Sequence, residues 1–184
     1  MACRSQNDAG HGTPAGAPGA AGRIIQISVS SGGVPKRPVP SSRVTMMGLE
    51  GDTQRNRRLH GGPDRALCLF SYERIRALQA EGHPIAPGAI GENLTIAEID
   101  WTEVRPGSCL RLGPEVAAQV TRFTSPCLNI AGAFCERAYS RVAQDRYPGD
   151  SRVYARILRE GYLTTGDPVR LITEDEALSL IGHR

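Results

Sequence analysis

Cys127 is the residue of this chain best placed to do chemistry. It follows Thr121-Arg-Phe-Thr-Ser-Pro, and apolar residues at helical spacing come next: Leu128, Ala131, Phe134, Cys135, Ala138 and Val142. With Ser125 as N-cap and Pro126 as the first helical residue, Cys127 falls at the second position of the predicted helix. Unpaired N–H groups there favour a thiolate, which is both a nucleophile and a soft metal ligand. A buried helix-start cysteine packing as a small hydrophobe is the competing reading.

The other chemically capable residues are cations. Seven of them (Lys36, Arg37, Arg43, Arg55, Arg57, Arg58 and Arg65) lie between Lys36 and Arg65 against three acids, whereas the rest of the chain holds 15 cations and 16 acids. The whole positive excess is thus in one thirty-residue window, which suits a compact anion better than duplex nucleic acid. No aromatic residue interleaves with these cations for base stacking, so nucleic acid is not an expected partner. A solvated basic loop accounts for any one of these arginines equally well. Within the window His60 opens a Gly61-Gly62 loop where backbone can approach a ligand and the imidazole can relay a proton. Asp64 and Arg65 are candidates to pair with each other. Asp52 is a candidate to orient His60 or an arginine. Asn93 offers an amide donor and acceptor suited to a pterin ring, or to its own loop. Cys68 and Cys135 sit in apolar runs and are expected in the core.

The elements that must position these residues are short. Ile24–Ser30, Leu94–Ile96, Cys109–Leu112, Val116–Arg122, Val153–Leu158 and Val169–Ile172 read as strands separated by turn residues. Ser71 to Gly82 reads as an amphipathic helix with Ser71 as N-cap, Ile75 and Leu78 inward and Gly82 as terminator. A last helix follows the capping box Thr173-Glu-Asp-Glu176. The pattern favours a β-rich barrel with a few helices over alternating βαβ units.

Composition sets the outer bounds. A chain of 184 residues, 40% hydrophobic and 22% charged, is long enough for one globular domain. Residues 1–22 hold six Ala, five Gly and two Pro and read as a disordered tail, leaving 23–184 as a single domain. No apolar stretch follows Arg4, so no secretory signal is expected and the cytoplasm is the expected location, with no membrane partner. Five unevenly spaced cysteines propose no disulfide framework, and four scattered histidines propose no zinc site. Any metal is expected to arrive inside a cofactor.

In order, Gly33-Val-Pro-Lys36, Gly48-Leu-Glu-Gly-Asp52, His60-Gly-Gly-Pro-Asp-Arg65, Pro87-Gly88, Gly91-Glu-Asn-Leu-Thr95, Ser125-Pro-Cys127 and Gly166-Asp-Pro-Val169 resemble a MOSC domain, the family named for the molybdenum cofactor sulfurase C-terminal domain. The likeness runs from about Ile24 to Ile172, and Pro148-Gly-Asp-Ser-Arg152 with Tyr154-Ala-Arg156 is similar to a bacterial stand-alone branch. The resemblance implies a mainly β fold with some α: a strongly twisted mixed β-barrel of the pyruvate-kinase-like kind with peripheral helices. It also implies a pyranopterin molybdenum cofactor, or receipt of sulfur, at Cys127. Relatives include the C-terminal half of cofactor sulfurases and the mitochondrial amidoxime-reducing component, whose matching cysteine ligates molybdenum during reduction of N-hydroxylated compounds. Lys36 is the position the resemblance carries over as a terminal phosphate contact. Arg57, Arg58 and Arg65 are candidates from charge.

Three departures from the family pattern bear on the site. Where many relatives place an arginine shortly before the cysteine, this chain has Thr124 and Ser125, so the nearest cation is Arg122, expected to reach the cofactor only from a strand. Gly107-Ser108 stands where relatives often have Gly-Asp. The pyridoxal phosphate domain of the larger sulfurases has no counterpart, so pyridoxal phosphate is not expected. The resulting expectation is a molybdenum-dependent oxidoreductase acting on a small molecule, with Cys127 and His60 catalytic and a separate reductase supplying electrons. Its rivals are a sulfur carrier using a Cys127 persulfide, served by a sulfur donor protein, and a non-catalytic cofactor-binding module.

Overall fold

The computed structural model describes residues 21–53 and 62–182. His60, Arg57, Arg58 and the segment read as a tail up to Ala20 lie outside the described residues.

Eleven strands carry the described fold. They are β1 (Gly22–Val29), β2 (Arg37–Val39), β3 (Ser41–Thr45), β4 (Gly48–Leu49), β5 (Leu67–Ser71), β6 (Leu94–Ala97), β7 (Cys109–Leu112), β8 (Val116–Phe123), β9 (Val153–Arg159), β10 (Gly161–Thr164) and β11 (Pro168–Ile172). The main sheet runs β11-β7-β8-β9-β5-β6-β1-β2, and a further β11–β1 pairing closes seven of its strands into a barrel. Only β5 and β6 pair in parallel there. The others are antiparallel, which makes the barrel mixed as the resemblance implies. Register shifts in β1 and between β8 and β9 supply the extra bend that closure of a small barrel needs. Strands β10, β3 and β4 form a separate three-stranded sheet.

The barrel interior is filled by branched side chains such as Ile24, Ile27, Leu69, Leu94, Leu110 and Val153. Every residue of β5 is buried, because its parallel and antiparallel neighbours are covered on both faces. This strand carries no alternation, which is why the pattern of the sequence does not announce it.

Two helices pack outside the barrel. Helix α1 (Tyr72–Ala80) begins as expected at Ser71, whose Oγ accepts from the Arg74 N–H, and buries Ile75 and Leu78. Gly82, at φ +92°, ends it. Helix α2 (Glu174–Gly182) starts at the anticipated box: Thr173 Oγ1 accepts from the Glu176 N–H, and Glu176 Oε2 accepts from the Thr173 N–H at 2.9 Å.

The helix expected after Cys127 does not form. Three short 3-10 helices, Leu128–Ala133, Cys135–Arg137 and Tyr139–Val142, replace it, separated by extended Phe134 and by Ala138. Glu136 and Arg137 take positive φ, breaking the run. What fixes this segment is an ion-pair cluster: Arg141 binds Glu81 at 2.6 and 2.8 Å and also pairs with Asp150, which Arg74 of α1 approaches at 3.3 Å. His83 Nδ1 accepts from the Cys135 N–H, and its ring packs edge-on against Phe134. Cys135 is therefore held at the surface of this cluster, with Sγ 3.1 Å from the Gly82 carbonyl, and is not a core residue.

Candidate functional site

One cavity of about 430 Å³ lies against the outer face of β5 and β9, within the size range of small-molecule sites. Cys127, Lys36, Arg65 and Asn93 all line it. The sequence-predicted residues from four separate loops or strands thus meet in one place. Arg122 and Thr124 do not line it.

Cys127 precedes the Leu128–Ala133 turn as its N-cap residue, with extended backbone at φ −139° and ψ 171°. This corrects the expected second helical position, and Ser125 is not an N-cap. The helix is a six-residue 3-10 turn, so the field of a long α-helix does not act on the sulfur. Cys127 is partly exposed and is a free thiol, so the buried-hydrophobe reading does not describe it.

Lys36 reaches the cavity by a loop that glycine makes possible. Its N–H donates to the Gly88 carbonyl at 2.9 Å, and a Cβ on Gly88 would stand 2.7 Å from the Lys36 carbonyl oxygen. The Val34–Pro35 peptide bond in this loop is cis. The Lys36 Nζ lies 2.5 Å from Asp52 Oδ2, which takes one of the three donors of the ammonium. The two side chains are 8% and 2% exposed, so the charge is compensated inside the protein. Asp52 thereby orients Lys36, where the sequence pointed to His60 or an arginine.

Asn93 is used up by the same network. Its Oδ1 accepts from the Cys68 N–H at 3.0 Å, while Nδ2 donates to Asp52 Oδ2 at 2.9 Å and to the Ser28 carbonyl at 3.3 Å. The amide that looked suited to a pterin edge spends its donors and acceptor on tying β1, β5 and the Asp52 loop together. Arg65 lies over the Tyr154 ring, 5.9 Å from its centroid, and does not pair with Asp64. Asp64 instead approaches Arg156 at 3.1 Å.

Arg122 is exposed on β8. Thr124 is buried, and its N–H donates to the Arg152 carbonyl at 2.9 Å, which anchors the end of β8 to β9. Its Oγ1 has no hydrogen-bond partner among the described residues.

Three lining residues were not singled out from the sequence as site residues: Cys68, expected in the core and buried as expected, and Arg152 and Tyr154, quoted only within a family motif. Arg152 and Tyr154 sit two apart at the start of β9, so their side chains leave the strand on the same face. Cys68 pairs opposite Tyr154 across β5 and β9. The signal was present in Arg152-Val-Tyr-Ala-Arg156, whose polar residues alternate with apolar ones. Arg152 is only 6% exposed. Its NH1 donates to the Ile90 carbonyl, and its Nε has no hydrogen-bond partner among the described residues. Burial pushes the Cys68 thiol up from its usual range despite nearby Arg152. Burial, with the Cys68 and Cys127 sulfurs nearby, pushes the Tyr154 phenol up to about 12, against the opposing pull of Arg152 and Arg65. The site is therefore a concave patch with a solvent-reachable thiol, a second buried thiol, a neutral phenol and two guanidinium groups.

Comparison with known proteins agrees with the fold and the motif order. The MOSC domain family model matches residues 56–170. YiiM of Escherichia coli (strain K12) is 36% identical over 150 residues, covering 76% of this chain and 66% of YiiM. The uncharacterized protein YflK of Bacillus subtilis (strain 168) is 33% identical over 147 residues, covering 78% of this chain and 65% of YflK. A protein named as a reductase in Gibberella moniliformis is 28% identical over 118 residues, 61% of this chain but 20% of that protein. The crystal structure of Escherichia coli YiiM superposes with a TM-score of 0.61 at 26% identity, covering 83% of this chain and 70% of that one. The chain spans just under two thirds of the length of YflK and YiiM. With a closed mixed barrel, the family's motif order and a family match over more than half its length, the chain belongs to the MOSC domain family.

Proposed function

We propose that this chain binds a pyranopterin molybdenum cofactor with Cys127 as a metal ligand and reduces a small N-hydroxylated or related substrate. The observation that carries the reading is the placement of the Cys127 thiol in one cavity with Arg65 and the buried, incompletely bonded Arg152.

The donor set fits such a group. Among the described residues no cluster of three or more His, Cys, Asp or Glu is placed to hold a bare ion. A metal at Cys127 therefore needs its remaining donors from a group that brings them, and a thiolate suits a soft metal. The cavity volume is ample for a small organic cofactor or substrate, and its guanidinium groups suit an anionic tail. When bound, the cofactor supplies two-electron redox chemistry. The chain's own residues do the rest: Cys127 fixes the reacting centre, the Asp52–Lys36–Asn93 network holds the loop wall, and Arg152 and Arg65 orient charge. Tyr154, kept as a neutral phenol, offers a hydrogen-bond donor to an oxygen leaving nitrogen. Electrons come from a separate reductase partner. A redox setting is supported by the name of the Gibberella relative, a reductase of which this chain matches 20%. The described cysteines are free thiols, in keeping with a reducing cytoplasm. None of the described helices is long and apolar enough to cross a membrane.

A second reading, sulfur transfer through a Cys127 persulfide, draws its support from Cys68, a second thiol lining the same cavity. Elemental analysis of the parent chain and Cys127→Ser, with intact-mass measurement after incubation with a sulfur donor, separates the two. Near-stoichiometric molybdenum lost in Cys127→Ser supports the cofactor reading. Molybdenum retained by the variant refutes Cys127 as the ligand. A metal-free chain that gains a Cys127-dependent sulfur adduct supports transfer.

A further inference from the structure

The turn after α1 holds the segment that follows Cys127 at three consecutive residues. Glu81 binds Arg141 at 2.6 and 2.8 Å, the Gly82 carbonyl accepts from the Cys135 thiol at 3.1 Å, and His83 Nδ1 accepts from the Cys135 N–H at 3.1 Å. The turn itself is tied to the helix, because the Gly82 and His83 N–H groups donate to the Gln79 and Leu78 carbonyls.

The histidine bond fixes a protonation state. A backbone N–H points at Nδ1, so that nitrogen carries its lone pair and the ring proton sits on Nε2, 3.7 Å from Glu81 Oε2. The charges that act on the ring are Glu81 in its own turn and Arg141 in the Tyr139–Val142 turn. Arg141 is itself paired with Asp150, which Arg74 of α1 approaches. The side chain is 10% exposed and packs edge-on against the buried Phe134 ring, with 5.3 Å between centroids. Burial pushes the imidazole below its usual 6.5, against the pull of Glu81, and Arg141 adds to the lowering. A second proton has to go on Nδ1, facing the Cys135 N–H, so the bond and the imidazolium exclude each other.

The grip continues to the cavity. The Phe134 N–H donates to the Ala131 carbonyl and the Ile130 N–H to the Cys127 carbonyl, so the residues held by His83 run directly into the turn after Cys127. Asn129 and Ile130 of that turn line the cavity.

We propose that Glu81, Gly82 and His83 form a proton-sensitive clamp: neutral His83 holds the cavity wall at Asn129 and Ile130 in place, and protonation at Nδ1 loosens it. The inference goes beyond the proposed function, since it concerns the wall beside Cys127 whichever group that sulfur takes. Because the folded chain disfavours the proton, the stability that the clamp contributes is complete above about pH 6.5 and is lost as pH falls through the lower folded value. Arg141 keeps its carboxylates throughout, so the expected change is local loosening and not unfolding.

The test follows the full chain by nuclear magnetic resonance from about pH 8 to about pH 5, a range that spans an ordinary histidine titration. The variants are His83→Asn, whose Oδ1 replaces Nδ1 as acceptor and does not titrate, and His83→Leu, which has no acceptor. We expect the Nε2–H tautomer at neutral pH and a ring titration below 6.5, with the amides of Cys135, Asn129 and Ile130 shifting at the same midpoint. Each pH unit below that midpoint lowers the ratio of closed to open clamp about tenfold. Alkylation of Cys135, read by peptide mass, gives a second readout. The ratio of the parent rate to the His83→Asn rate cancels the thiol's own pH dependence and should rise on acidification. His83→Asn should hold the three amides constant, whereas His83→Leu should show the open signals at every pH. His83→Asn keeps the test decisive if His83→Leu does not fold. An Nδ1–H tautomer, a ring titration at or above 6.5, or amides of His83→Asn that follow pH as the parent's do overturns the clamp. Movement of Cys135 with Asn129 and Ile130 unchanged overturns its reach to the cavity wall. None of these readouts depends on molybdenum, so failure of the clamp and failure of the cofactor reading are separate results.

Discussion

Asp52 Oδ2 lies 2.5 Å from Lys36 Nζ and also accepts from Asn93 Nδ2 at 2.9 Å, so one carboxylate oxygen joins three segments distant in sequence. Its other oxygen accepts from the Ser30 N–H, fixing the end of β1 to the same point. Three polar segments of the chain are in this way one structural knot in the cavity wall.

Replacing Asp52 with Ala should be among the most damaging polar substitutions in the fold. It leaves the Lys36 ammonium buried without its partner, at a cost of about 3–5 kcal/mol. Urea denaturation read by circular dichroism checks the value, and the Lys36→Met/Asp52→Leu double variant should recover a substantial part of it.

Gly88→Ala should destabilise the chain and disturb the Lys36 loop. Gly88 has φ +83°, and its added Cβ meets the Lys36 carbonyl oxygen at 2.7 Å, a backbone atom that cannot swing aside. The left-handed conformation alone costs about 1–2 kcal/mol for a non-glycine residue. Gly33→Ala is the comparison, since nothing lies within 4 Å of its Cβ and only the backbone term applies. A thermal melt should order the variants parent, Gly33→Ala, Gly88→Ala.

Arg141→Ala should loosen the segment that carries Cys127. The guanidinium bridges Glu81 and Asp150 and lies 4.3 Å from the Tyr147 ring centroid, so truncation removes two ion pairs and a cation–π contact together. Partial exposure limits the loss to about 1–3 kcal/mol. Hydrogen exchange should rise across residues 128–150 while β5 and β9 keep their protection.

Tyr154 should remain protonated well beyond the range of an ordinary phenol. Its titration is pushed up to about 12 by burial, so the folded chain holds this proton where an unfolded chain has lost it. The associated stability is present below about pH 10, the unfolded value, and is lost as pH rises toward 12. Ultraviolet titration at 295 nm should show a late-ionising tyrosine missing from Tyr154→Phe, and the variant should flatten the alkaline loss of stability.

The sequence by itself determined what is local. Turn residues and alternation marked six strands of the barrel, and the caps at Ser71 and Thr173 marked both helices, because each depends on neighbours a few residues away. The ordered motifs also identified the family. Only the tertiary structure decided which polar groups remain available to a ligand. Lys36 and Asn93 read as contacts, and Asp52 also binds both through bonds spanning 16 and 41 residues. Arg152 reads as one cation of a strand, yet closure of the barrel buries it where the Glu92 carboxyl feels its charge. The apolar spacing after Cys127 reads as a helix, yet Arg141 and His83 fasten that segment to α1 and its following turn and break it into 3-10 turns. Periodicity reports which face of a segment is apolar, whereas the pairing of a charge depends on what the fold brings opposite it.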